Sequence, residues 1–235
     1  NTIAALIIEP VVGNMGCVLP ETGYLETIRE ICTREGIVLI FDEVMTGFRL
    51  SLGGAQERFN IKPDLTTLGK IIGGGMPVGA YGGKKEIMQM VSPSGPMYQA
   101  GTLSGNPIAM SAGMAMLKHL KKNPNVYWQL EAAGLEIAYG ITQSLKELEL
   151  NYTVNQIGSM YSLFFTENKV VDYTTAKTCD TAAFGKYFNA MLNRGIYLAP
   201  SQFESLFISE KIDSKIIKKI LKASHQSLID LKTEK

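Results

Sequence analysis

The most constraining feature of this sequence is a pair of short apolar runs separated by a helical pattern. Residues 3–8 read Ile-Ala-Ala-Leu-Ile-Ile and residues 37–41 read Ile-Val-Leu-Ile-Phe, and both are typical of strands buried in a sheet. Between them, apolar side chains recur at helical spacing from Tyr24 to Cys32, behind a turn signal at 20–23. A strand, a helix and a second strand in this order predict a βαβ crossover, and therefore an α/β fold with a parallel or mixed sheet covered by helices.

The rest of the chain predicts a two-domain organisation. Shorter strands are expected at 65–68 and 78–81, followed by a helix from about 104 to 120 whose small residues imply close packing against another backbone. A polar, proline-containing break predicts a boundary between a domain at 1–123 and another at 124–235. In the second domain, of α+β type, we expect helices at 126–148, 181–192 and 214–231 and strands at 152–154, 160–165 and 196–198.

The first apolar run also indicates what should surround it. A strand of a parallel sheet normally has both faces covered and both edges paired. No strand, helix or initiator methionine precedes residue 3. We therefore expect this chain to be a piece of a longer protein.

Composition argues against several classes of function. A formal net charge of +1 with interspersed signs provides no basic stripe for nucleic acid. The longest apolar run, at 36–41, is far shorter than the roughly 18 residues of a membrane helix, and no signal peptide is evident. The cysteines and histidines lack the spacing of a metal site; they are Cys17, Cys32, Cys179, His119 and His225. We expect a soluble, cytoplasmic protein without metal, nucleic-acid or membrane partners.

An acidic pair, Asp42 and Glu43, follows the second strand. Alone, such a pair is equally compatible with a solvated turn. However, open α/β sheets bind ligands beyond the carboxyl ends of their strands, and this is where Asp42 falls. An acid there can hold a buried cation.

A lysine, Lys70, lies between the predicted strand at 65–68 and the glycine-rich segment 71–77. A single lysine is usually a surface charge. In apolar, glycine-rich surroundings, however, desolvation would favour the neutral amine that Schiff-base formation needs. Two phosphate-loop motifs are excluded, because Val78 occupies the position where each requires a glycine.

A third candidate is the pair Gly101-Thr102, which precedes 103–107 and the long helix. Backbone N–H groups and hydroxyls near a helix start suit an anion, although a plain N-cap is the alternative. An acid, a lysine and a phosphate-type hydroxyl are together the groups that a pyridoxal-phosphate site requires.

Three segments resemble the signature of the class III aminotransferases of fold type I: Phe41–Arg49, Pro63–Asp64 and Leu68–Gly83. Two further segments, Glu9–Gly16 and Gly101–Pro107, resemble the glutamate-1-semialdehyde 2,1-aminomutases of that class more closely than its ω-aminotransferases. The resemblance implies that 1–123 is the C-terminal part of a cofactor-binding large domain and that 124–235 is a small C-terminal α+β domain. Family members also carry an earlier segment, with a phosphate loop and an aromatic residue on the ring, which this sequence does not contain.

The resemblance implies a role for individual residues. Lys70 would be the Schiff-base lysine, Asp42 would bind the ring nitrogen, and Val44 would pack on the ring face. Gly101 and Thr102 would meet the phosphate of the neighbouring subunit's cofactor, while Glu204 and Tyr98 would line the substrate pocket.

The resemblance also implies a reaction, the isomerisation of glutamate 1-semialdehyde to 5-aminolevulinate for tetrapyrrole synthesis. Its cofactor would be pyridoxal 5'-phosphate, alternating with pyridoxamine 5'-phosphate. The enzyme would be a homodimer with its sites at the subunit interface and a small-molecule substrate. The alternatives are an ω-aminotransferase and a truncated fragment without catalytic activity.

Overall fold

The computed structural model describes residues 2–233, which form two compact units. The first unit comprises the described residues up to Pro10 together with Pro20–Pro124. The second comprises Val11–Leu19 together with the described residues from Asn125 onward. The boundary predicted from the sequence lies one residue earlier, and no sequence pattern distinguishes Val11–Leu19 from its surroundings.

The first unit is built around a mixed sheet. Its strands are β1 (Ala5–Ile8), β2 (Val38–Glu43), β3 (Leu65–Leu68) and β4 (Ala80–Gly83). Its helices are α1 (Tyr24–Glu35), α2 (Gly54–Phe59), α3 (Lys85–Met88) and α4 (Pro107–Lys122), with a 3-10 helix at Lys70–Gly73. The strand order is β1-β2-β3-β4, in which only the β3–β4 pairing is antiparallel. The sequence predicts a parallel or mixed sheet, and the observed sheet is mixed and mostly parallel.

Alternation along β2 decides which side chains reach the core. Leu39, Phe41 and Glu43 are buried, whereas the side chains between them are only half-buried. Leu39 and Phe41 pack with Leu25 of α1 in one apolar cluster. Successive side chains of a strand point to opposite faces. Asp42 therefore lies on the face opposite this cluster.

β1 differs from the expectation for a strand covered on both sides. Among the described residues it pairs with β2 alone. Ile7 on its outer face is 57% exposed. The strand predicted at 78–81 begins instead at Ala80, because Val78 packs beside Gly73 in the preceding turn.

The second unit combines helices with an antiparallel sheet. Its elements are α5 (Asn125–Glu147), β5 (Thr153–Ile157), β6 (Met160–Phe164), α6 (Tyr173–Ala176), α7 (Thr181–Asn193), β7 (Leu206–Phe207) and α8 (Ser214–Thr233), and the strand order is β5-β6-β7. The strand predicted at 196–198 is wrong. The backbone N–H of Ile196 donates to Met191 O at the end of α7, and Leu198 is buried without pairing.

Val11–Leu19 joins the second unit through long-range hydrogen bonds. The backbone N–H of Cys17 donates to Ser162 Oγ at 2.9 Å, and Asn155 Nδ2 donates to Cys17 O at 2.9 Å. Gly16 lies against the Phe164 ring, where any side chain would overlap it. These contacts span more than a hundred residues of chain, so local sequence patterns do not show them.

Candidate active site

Asp42 lies near the carboxyl end of β2, and its carboxylate is held through one oxygen. Oδ1 accepts hydrogen bonds from the backbone N–H of Val44, at 3.0 Å, and from the hydroxyl of Thr67, at 3.1 Å. None of residues 2–233 donates to Oδ2. The pairing of β2 with β3 places Thr67 directly opposite Asp42. The second carboxylate oxygen is therefore available to a bound molecule.

Glu43 has a different role from its neighbour. It is 1% exposed, and its carboxylate accepts hydrogen bonds from the Thr46 hydroxyl, the Ala55 N–H, and the backbone and side chain of Gln56, at 2.6–3.3 Å. Gln56 Nε2 also donates to Thr66 Oγ1 at 3.0 Å. A buried carboxylate that accepts this many donors is structural, and here it joins α2 to the end of β2. The solvated turn considered for the acidic pair is therefore wrong for Glu43.

Lys70 follows β3 and begins the 3-10 helix with φ 46°. This is the left-handed region of backbone conformation. Residues other than glycine rarely adopt it, and those that do are enriched at functional sites. Its side chain is exposed, so the described residues do not provide the desolvated surroundings that the sequence predicts. A Cβ on Gly69, the preceding residue, would lie 3.2 Å from Val44 Cγ1. Val44, Asp42 and the start of the Lys70 helix thus share the carboxyl ends of β2 and β3.

Helix α4 fixes the backbone that follows Lys70. A Cβ on Gly113 would overlap the carbonyl oxygen of Ile72, and one on Gly74 would overlap the carbonyl of Ala112. Gly74 also has φ 57°, which favours glycine. The close backbone packing predicted from the small residues of this helix is therefore confirmed.

We expect Gly113→Ala in the complete gene product to lower the free energy of unfolding by about 2–3 kcal/mol, because the new methyl group meets Ile72 O. The gain in helix propensity, about 1 kcal/mol, is too small to offset this clash. Urea unfolding measures the effect. Gly79→Ala is the matched control, because a Cβ there meets nothing within 4 Å. Equal stability of the two variants would contradict the close approach.

Asp64, from the Pro63-Asp64 motif, lies at the opposite end of β3. Its carboxylate accepts from Leu39 N at 2.7 Å and Arg29 Nη1 at 2.9 Å, and Lys84 Nζ lies 2.6 Å away. Burial would raise the pKa of Asp64, but hydrogen bonds from Lys84, Leu39 and Arg29 hold that pKa below its usual value. This part of the motif anchors the sheet and does not belong to the Asp42 site.

Gly101 and Thr102 are exposed in a turn before α4. The Ser104 N–H donates to Gly101 O at 2.9 Å, which closes that turn. The helix itself is capped by Asn106, whose Oδ1 accepts from the N–H groups of residues 108 and 109. The cap of this helix is therefore Asn106, and the alternative that Gly101-Thr102 forms a plain N-cap is wrong. The role of Thr102 stays a prediction.

The two candidate substrate residues lie in different units. Tyr98 belongs to the first unit and is 83% exposed. Glu204 belongs to the second and is exposed on a turn, where its N–H donates to Ser201 O at 3.2 Å. Gln202, two residues earlier, is buried, and its Nε2 donates to Leu163 O at 3.0 Å.

Two further properties concern the described part of the chain as a whole. Within it, no three or more His, Cys, Asp or Glu side chains are arranged to hold a metal ion. None of its helices combines the length and apolarity needed to cross a membrane. His225 Nδ1 lies 3.1 Å from Ser144 Oγ, which gives this histidine a packing role.

The fold is that of one enzyme class. The class III aminotransferase family model matches residues 1–223, and this chain belongs to that family. Its curated relatives include glutamate-1-semialdehyde 2,1-aminomutases from Cytophaga hutchinsonii, 61% identical over 98% of the chain, and from Pelodictyon phaeoclathratiforme, 57% identical over 97% of it. These matches cover 54% and 52% of the relatives, so the chain spans about half their length.

Solved structures agree on the fold. An ω-transaminase from Sphaerobacter thermophilus superimposes with a TM-score of 0.87 at 32% identity, covering 97% of this chain and 52% of that one. A glutamate-1-semialdehyde aminomutase from Pseudomonas aeruginosa, in complex with PMP, gives a TM-score of 0.86 at 22% identity, with coverage of 97% and 52%.

Proposed function

We propose that the complete gene product is a pyridoxal-phosphate-dependent aminomutase that converts glutamate 1-semialdehyde to 5-aminolevulinate, a step toward tetrapyrroles. The observation that carries this proposal is the arrangement of Asp42 and Lys70 at the ends of paired strands, with one carboxylate oxygen open. The curated relatives named glutamate-1-semialdehyde 2,1-aminomutase, up to 61% identical, support the choice of reaction. The first unit would belong to the cofactor-binding large domain and the second to the small domain.

The residues of the first unit fit the cofactor by their chemistry. Asp42 Oδ2 can accept a hydrogen bond from a protonated ring nitrogen, because Oδ1 already takes both local donors. Lys70 supplies a primary amine, and Val44, which lies against the preceding residue Gly69, supplies an apolar surface. When bound, pyridoxal phosphate supplies an electron sink for charge that develops on a substrate carbon.

Each residue then has a distinct task. Asp42 orients the ring and keeps a proton on its nitrogen, since a carboxylate stabilises the positive charge there. The Lys70 amine takes a proton from one substrate carbon and returns it to another, which is the general acid–base task that a lysine beside the reacting carbons can perform. The Thr102 hydroxyl donates to the phosphate, with the Gly101 backbone beside it.

Glu204 and Tyr98 are proposed to act at the substrate end of the pocket. A second carboxylate 4 Å from Glu204 would be repelled by roughly 4 kcal/mol at an effective dielectric constant of 20. This repulsion would disfavour keto acids that could carry the amino group away. Tyr98, at 83% exposed, is free to contact a bound molecule through its ring.

The proposed function is tested by incubating the complete gene product, loaded with cofactor, with glutamate 1-semialdehyde. We expect 5-aminolevulinate without any added keto acid. The second candidate, an ω-aminotransferase, is favoured by the Sphaerobacter thermophilus structure at 32% identity. It would form no 5-aminolevulinate and would need a second keto acid for turnover. A third outcome, in which the purified 235-residue chain develops no absorbance band with pyridoxal phosphate, would identify this chain alone as a non-catalytic fragment.

We also propose a cytoplasmic location. The chain's three cysteines, Cys17, Cys32 and Cys179, are all free and buried. Unpaired cysteines are usual where glutathione keeps thiols reduced. The proposed partner is a small-molecule substrate, a reactive amino aldehyde. Nucleic acid is not a proposed partner, because the composition offers no basic surface for it.

We propose further that the enzyme is a homodimer in which Thr102 serves the partner's site. Large apolar side chains are exposed along residues 90–114, including Met97 at 45%, Leu103 at 66%, Ile108 at 65% and Met114 at 55%. Exposed apolar side chains gathered in one segment mark an interaction surface. Thr102 lies within this segment, so a second copy that covers it would bring Thr102 to a neighbouring cofactor.

Co-expression of Lys70→Ala and Thr102→Ala chains, each with its own affinity tag, tests the shared site. Mixed dimers would contain one intact site, with Lys70 from one chain and Thr102 from the other. We expect the mixture to recover about a quarter of the parent activity. Alone, Lys70→Ala should be nearly inactive and Thr102→Ala weakly active. Activity no higher than the mean of the two variants would show that each chain completes its own site.

A further inference from the structure

The carboxylate of Asp42 is held by two donors from different elements. The Val44 N–H comes from the turn after β2, and the Thr67 hydroxyl comes from the neighbouring strand. Both donate to Oδ1, so the group is fixed against rotation while Oδ2 stays open. One donor alone would leave the carboxylate able to turn about its bond to the strand.

We propose that Thr67 is a positioning residue that sets the direction in which Asp42 presents its open oxygen to the cofactor. This inference rests on the proposed function. The hydroxyl of Thr67 has no other hydrogen-bond partner within residues 2–233, so its proton is committed to Asp42. A β-branched side chain in a strand has few rotamers, which makes the donor itself rigid.

The position of Thr67 along β3 also links Asp42 to the strand that precedes Lys70. It stands opposite Asp42 in the strand pairing and three residues before Lys70. The hydrogen bond therefore ties the acid to the strand that carries the amine. Reacting groups must be held within a fraction of an ångström for full rate, and this bond fixes the acid relative to that strand.

Thr66 offers the contrast that a test needs. It lies on the same strand, one residue earlier, and its Oγ1 accepts from Gln56 Nε2 in the buried Glu43 network. Removal of its hydroxyl disturbs a packing network without touching Asp42. Thr66→Val is thus the matched control for Thr67→Val.

The experiment compares Thr67→Val, Thr67→Ser and Thr66→Val in the complete gene product loaded with pyridoxal phosphate. The readouts are the cofactor dissociation constant, the circular dichroism of the bound cofactor per mole bound, kcat, KM and the melting temperature. The circular dichroism band matters most, because an achiral cofactor acquires it only when the protein holds the ring in a fixed direction.

For Thr67→Val we expect the band to fall by about half, cofactor dissociation to rise about tenfold and kcat to fall about tenfold with KM changed less than about twofold. Thr67→Ser, which keeps the hydroxyl, restores all values to within about twofold of the parent. Thr66→Val lowers the melting temperature and leaves the band unchanged. If Thr67→Val fails to fold, Thr67→Ala serves as the variant without a hydroxyl.

The possible results distinguish failure of the positioning role of Thr67 from failure of the proposed function. A parent protein that binds the cofactor, with a Thr67→Val band and kcat equal to its own, overturns the positioning role and leaves the proposed function standing. A serine variant as impaired as the valine variant also overturns it. A parent that develops no bound-cofactor band overturns the proposed function, and the role of Thr67 falls with it.

Discussion

Lys70→Ala in the complete gene product is expected to abolish covalent attachment of the cofactor and to lower turnover by about four orders of magnitude or more. Only a primary amine at this position can bond to the cofactor's aldehyde and also move the substrate protons. The measurement is borohydride reduction followed by mass spectrometry of the tryptic peptides. In the parent protein, the added mass should lie on the peptide that contains Lys70.

Lys85→Ala is the matched control for this change, because Lys85 is an exposed lysine at the start of α3. It should keep both the adduct and the activity of the parent. The melting temperature of Lys70→Ala should stay near that of the parent, since the lysine side chain is exposed. An adduct that survives in Lys70→Ala would show that another amine makes the bond.

The second large effect is expected for Asp42→Asn, which should lower kcat by about three orders of magnitude while weakening cofactor binding by only about tenfold. The contacts of Asp42 explain this difference. Val44 N and Thr67 Oγ1 both donate to Oδ1, so the amide oxygen of asparagine would take that place. Its NH₂ group would then face the ring nitrogen, where it cannot keep a proton in place.

The neighbouring Glu43→Gln variant controls for removal of a negative charge. Glu43 accepts its hydrogen bonds on the other face of β2, from Thr46, Ala55 and Gln56. Its substitution should lower the melting temperature, because an NH₂ group would then meet N–H donors. The folded protein should turn over at a rate near the parent's. Stopped-flow kinetics checks both variants, and near-normal turnover in Asp42→Asn would remove Asp42 from its role.

Local sequence patterns predict those strands and helices whose formation depends on residues close together in the chain. β2, β3 and the crossover helix α1 follow from apolar runs and helical spacing, and the small residues of α4 predicted its close packing. Asp42 and Lys70 are predictable as candidates because each follows a recognisable strand. Their grouping at one edge of the sheet followed from the rule for parallel strands.

Other parts depend on contacts that no local pattern encodes. The hydrogen bond from Thr67 to Asp42 could be predicted only from the register of β2 and β3. The role of Glu43 depends on a turn that brings Ala55 back to it. The apolar residues at 196–198 gave a false strand, because burial next to a helix end produces the same apolar signal as pairing.

The contact between α4 and the Lys70 helix has a mechanical consequence. Because Gly113 and Gly74 bring two backbones together, no layer of rotating side chains lies between them to absorb a displacement. Ile108 and Met114 of the same helix are exposed. A displacement of α4 would therefore be passed directly to the segment that follows Lys70, without side-chain rearrangement between the two backbones.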